Sequence, residues 1–115
     1  MKKIAFILAF IATTITCYAQ SQAEMNEKAR QEFEKTDALL NKVYQEVLKR
    51  GDKDSNKALR EAQRAWLKFV DLHMDYVFPL KEGENPREVY GSIYHLEYAM
   101  IKTDLFKQRI EQLKY

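Results

Sequence analysis

The chain has 115 residues, 46% hydrophobic and 31% charged, with nineteen Lys and Arg against seventeen Asp and Glu. One domain is the sensible count at this length. Lys2 and Lys3 are the only charges before residue 20; without them the signs balance, which removes the electrostatic case for nucleic acid or an anionic membrane as partner.

The first element is an export signal. Lys2 and Lys3 are followed by an apolar run over 4–16, and Ala19 stands at a suitable cut position. The run is shorter than the about 20 residues that span a bilayer, and no second apolar run follows. The pattern predicts a signal peptide over 1–19 and a single domain over 20–115, periplasmic or secreted, with no transmembrane segment in the mature chain. The rival reading is a lipid anchor on Cys17. It wants a small residue just before the cysteine and an aliphatic one three before, whereas Thr14, Ile15 and Thr16 stand there. Cys17 is the single cysteine, so cleavage after Ala19 leaves a domain that holds together by packing alone.

Three helical segments follow. The first is expected over 22–49, with Ser21 as N-cap and Glu24 completing a capping box. Met25, Ala29, Phe33, Leu40, Val43 and Val47 step along it by three and four, apart from a gap at Thr36. Gly51 offers a left-handed C-cap. The second is expected over 55–76, capped by Asp54 or Ser55. Its inner stripe is Leu59, Ala62, Trp66, Phe69, Val70, His73 and Tyr76. The short connection predicts an antiparallel hairpin.

Pro79 stops the second helix, and 80–88 is the one real loop. Pro86 suits the first turn of a third helix reaching 113, with Gly91 inside its start. That helix carries Ile93, Leu96, Met100, Ile110 and Leu113 on one side, and a second stripe of Tyr90, Tyr94, Tyr98, Ile101 and Leu105. Burial of both flanks between the other helices explains the width; a tyrosine-rich binding face is the sharper alternative. The fold class is all-α, a small antiparallel three-helix bundle after the signal peptide.

Chemistry is scarce. Ser21, Ser55 and Ser92 sit in no nucleophile elbow. His73 and His95 each lie two residues from a carboxylate, a spacing that points helical side chains apart, so no metal is expected. Asp71 and Asp75 lie one turn apart and frame no cleft for acid–base cleavage. Three glycines make no phosphate loop, and no cofactor is expected. Lys53, Lys57, Arg60, Arg64 and Lys68 form a basic stripe, read first as a solvated face and second as a grip on an anionic partner. The residues point to no enzyme.

A pattern centred on Trp66 does stand out. Met25-Asn26-Glu27-Lys28-Ala29 is followed by Asp37-Ala38-Leu39-Leu40-Asn41 and Tyr44. Then come Leu59, Gln63-Arg64-Ala65-Trp66, Val70-Asp71 and Met74, and finally Gly91-Ser92 and the helix from Phe106 through Arg109 to Leu113. In order and spacing the chain resembles the lysozyme-inhibitor LprI-like N-terminal domain family. It departs from that family's pattern where Lys28 and Met74 replace cysteines, Val70 replaces an arginine and Phe106 replaces a threonine. Met74 can fill the core space of a half-cystine.

The resemblance implies a helical envelope protein with a protein partner, by the family's name a lysozyme-type hydrolase. Asn26, Asn41, Tyr44, Gln63, Trp66, Asp71, Gly91, Ser92, Arg109 and Leu113 are then mainly structural. An inhibitor would present a rigid protrusion to the enzyme cleft. The loop over 80–88, with Glu82, Glu84 and Glu88, is the candidate. The alternative is a structural or assembly module, a homodimer through Tyr90, Tyr94 and Tyr98.

Overall fold

The computed structural model describes the backbone over residues 2–114 and side chains over 21–114. All regular structure among the described residues is helical: α1 (Lys2–Arg50), α2 (Lys53–Val77), α3 (Pro86–Tyr90) and α4 (Tyr94–Leu113). The expected cleavage after Ala19 and the lipid anchor at Cys17 fall on side chains outside the described residues. No described helix is long and apolar enough to cross a membrane.

α1 does not begin at Ser21. It runs through that residue, so Ser21 and Glu24 form no capping box here: a serine inside a helix has no free terminal amides to cap. At the other end, Gly51 does not take a left-handed conformation; among the described residues positive φ is confined to Gly83 and Gly91. Gly51 is required by close approach instead. A Cβ there would collide with the Asn56 side-chain oxygen. Asn56 occupies that space because its Nδ2 donates to the Leu48 carbonyl at 2.8 Å, satisfying one of the orphaned carbonyls of α1.

α2 begins two residues earlier than expected. Asp52, rather than Asp54 or Ser55, is the N-cap, and Ser55 completes a capping box with it. The hydrogen bonds from Ser55 hold the Asp52 carboxyl below its ordinary pKa. The third expected helix is two helices. Asn85 caps α3 through a 2.9 Å bond from the Arg87 amide, and α3 stops at Gly91 (φ 85°, ψ −174°), a conformation open essentially to glycine alone.

One apolar cluster joins the helices. Leu40 comes from α1, Val70 and Met74 from α2, Phe78 from the end of α2, and Phe106, Ile110 and Leu113 from α4. Met74 is 2% exposed, so it does take core space where the family pattern has a cysteine. Phe106, which stands where that pattern has a threonine, is the hub: its ring meets Phe33 and Trp66 edge-on, each at 5.0 Å. Contacts of α1 with α4 advance together. Ala23 and Asn26 lie beside His95 and Tyr98, and Phe33 beside Lys102 and Phe106. Contacts of α2 with α4 advance oppositely, with Gln63 at Arg109, Trp66 at Phe106 and Phe78 at Tyr98, Tyr94 and Tyr90.

The inner stripe of α2 differs from expectation. Leu59, Gln63, Trp66, Val70, Met74 and Val77 face inward, whereas Ala62, Phe69 and Tyr76 lie outside. Residue 69 is about 100° round the helix from residue 70, so both cannot point to one narrow seam. Met25, Ile93 and Met100, also expected inside, are exposed. Thr36, the gap in the stripe of α1, is buried, and its hydroxyl donates to the Glu32 carbonyl at 2.8 Å.

Candidate functional site

The loop between α2 and α3 is short and tied at both ends. Tyr90 donates its hydroxyl to the Pro79 carbonyl at 2.6 Å, bridging eleven residues. Inside the loop, the Glu84 amide donates to the Lys81 carbonyl at 3.1 Å, and the Lys81 amide donates to the Glu84 carboxylate at 2.7 Å. With Asn85 capping α3, the segment is a braced loop rather than a slack connection. Glu84 is therefore occupied within the loop. Glu82 and Glu88 are exposed and take part in no ion pair among the described residues.

The tyrosines stand behind this loop. Phe78 is the centre: Tyr90, Tyr94 and Tyr98 surround its ring at 5.3, 5.1 and 6.1 Å. All three are half-buried. Burial holds the Tyr94 and Tyr98 hydroxyls above their ordinary pKa, with the neighbouring ring and the carboxylates of α2 adding to it. The stripe thus supports the base of the loop and engages its rings within the molecule.

A second set of motif residues gathers around Gln63. Gln63 is buried and accepts from Arg109 Nε at 2.9 Å, while the Arg109 guanidinium lies 5.9 Å from the Trp66 ring centre. Burial lowers the Arg109 pKa from its usual value. Gln63 also lines a groove of about 250 Å³ with Asp37, Leu40, Asn41, Tyr44, Arg60, Arg64, Leu67 and Phe106. Arg60 and Arg64, read from sequence as part of a solvated stripe, are exposed and also line this groove with the acid Asp37. Only pairing α1 with α2 in three dimensions brings these together; their separation along the chain carries no signal. Asn26 lies in a second groove with Arg30, His95 and Lys102, about 520 Å³ in volume. Asp71, Gly91 and Ser92 are exposed, and Leu113 is in the core.

Among the described residues no group of three His, Cys, Asp or Glu could hold a metal ion.

The sequence profile of the family described as Lysozyme inhibitor LprI matches residues 16–113. A protein of Escherichia coli (strain K12), described as Uncharacterized protein YecT, is 26% identical over 93 residues. That match covers 71% of this chain and 57% of the relative, so the chain spans less than two thirds of that relative's length. No solved structure matches the chain.

Proposed function

The chain belongs to the family described as Lysozyme inhibitor LprI, and from that membership we propose that it is an exported envelope protein that binds and inhibits a lysozyme-type peptidoglycan hydrolase. It acts as an antiparallel three-helix bundle released after Ala19; the opposite advance of the α1 and α2 contacts along α4 supports that arrangement. The segment over 80–88, which is the loop together with the first turn of α3, enters the enzyme cleft. The observation that carries this assignment is the bracing of the loop by the Tyr90–Pro79 hydrogen bond and the Lys81–Glu84 turn. A protrusion already held in one shape loses little conformational freedom on docking, and that saving appears as affinity. Exposed Glu82 and Glu88 suit a basic enzyme surface.

The assembly reading through Tyr90, Tyr94 and Tyr98 has less support, because those rings are engaged around Phe78. The loop assignment is tested with the pair Glu82→Lys and Glu88→Lys, which leaves Glu84 in its turn. We expect inhibition of a susceptible lysozyme to weaken at least tenfold while the helical signal stays unchanged. Inhibition equal to that of the wild type would place the contact elsewhere.

A further inference from the structure

The outer face of α2 carries a second apolar line that the core does not use. Ala62, Ala65, Phe69, Leu72 and Tyr76 follow one another at steps of three, four, three and four, the spacing of a coiled-coil seam. All five are exposed: Phe69 to 49%, Leu72 to 59% and Tyr76 to 78%. The line extends about 21 Å along the helix. The rings of Phe69 and Tyr76 lie 5.4 and 5.9 Å from that of His73 between them.

We infer that this face is an interface for a second copy of the chain, with the two α2 helices antiparallel about a two-fold axis between Phe69 and Leu72. Two features of the stripe select this occupant and direction. The first is size. Antiparallel pairing that sets Phe69 against the partner's Leu72 also sets Ala65 against the partner's Tyr76, a small residue beneath the largest one, twice over. Such alternation lets facing layers interdigitate.

The second is charge. One flank of the stripe carries Glu61, Lys68 and Asp75, seven residues apart and alternating in sign. Antiparallel seams bring like flanks together, so Lys68 meets the partner's Asp75 and Asp75 the partner's Lys68. Neither residue forms an ion pair within the chain among the described residues. A parallel pair would bring this flank against Trp66 and His73 and make no such bridges. A two-fold axis satisfies both bridges with a single surface, as a self-complementary interface must. The face is small by the standard of permanent dimers, so the association is reversible and concentration-dependent.

Sedimentation equilibrium of the purified chain, from about 1 μM to about 1 mM, tests the inference. The wild type is expected to pass from monomer towards twice the monomer mass. Leu72→Glu should keep the helical signal and remain monomeric throughout. Lys68→Asp should weaken self-association about tenfold by setting acid against acid. Lys68→Asp combined with Asp75→Lys should restore it, because the swapped charges meet again across the axis. A wild type monomeric over the whole range would overturn the inference. So would a dimer that Leu72→Glu leaves intact, or one that the charge swap fails to restore.

Discussion

The Tyr90 hydroxyl closes the loop between α2 and α3 by donating to the Pro79 carbonyl at 2.6 Å. One side chain thereby sets the spacing of the loop's two ends while its ring packs on Phe78. The same residue that looks like a binding tyrosine in the sequence is thus a brace for the acidic tip.

Tyr90→Phe keeps the ring and removes the brace. A single exposed hydrogen bond contributes about 0.5–1.5 kcal/mol, so the melting temperature should fall only slightly. Amide exchange over 80–85 should rise distinctly more than in α2 or α4. Unchanged exchange in the loop would mean that the Lys81–Glu84 turn alone holds it.

Gly91 separates α3 from α4 in a backbone region that only glycine occupies without strain. Gly91→Ala should destabilise the fold by about 1–3 kcal/mol, although a Cβ there meets nothing within 4 Å. The cost is conformational and not steric crowding, so truncating neighbouring side chains should not relieve it. Chemical denaturation of the single and neighbour-truncated variants measures this.

Two buried threonines at the contact of α1 with α4 make a contrast. Thr36 donates to the Glu32 carbonyl, whereas the Thr103 hydroxyl is buried with no partner. A buried unsatisfied polar group costs about 1–3 kcal/mol. Thr103→Val, which keeps the shape, should raise the unfolding free energy, while Thr36→Val should not. Denaturant midpoints of the two variants compare them directly.

Much of this fold was legible in the sequence. Helix content, the helix-stopping Pro79 and the anchors Leu40, Val70, Ile110 and Leu113 follow from period and punctuation, whereas the hub Phe106 lay in neither expected stripe. What escaped did so for physical reasons. Phe69 and Val70 are equally apolar, and period alone cannot choose which faces α4. Gly91 was visible as a glycine, but its extended, positive-φ conformation depends on where α3 must end. The Gln63–Arg109 pair spans 46 residues and exists only once α2 lies against α4. The acidic loop was found by its charges, yet its bracing by Tyr90 was hidden, because tyrosines at helical spacing read as a stripe.

Burial raises the pKa of Tyr94 and Tyr98 above their reference value of 10.0 in the folded state. A raised folded pKa gives stability that is full below the unfolded value and lost as pH rises through the folded one. Melting temperature should therefore hold up to about pH 10 and fall above it. Tyr98→Phe should reduce that alkaline fall; an identical slope would assign it to other groups.

Titration of the purified chain against a panel of lysozymes, with residual wall lysis as readout, tests the proposed inhibition most directly. Saturable inhibition near one-to-one stoichiometry, weakened by Glu82→Lys with Glu88→Lys, is the expected result. Undiminished lysis across the panel at high molar excess of the folded chain would contradict it.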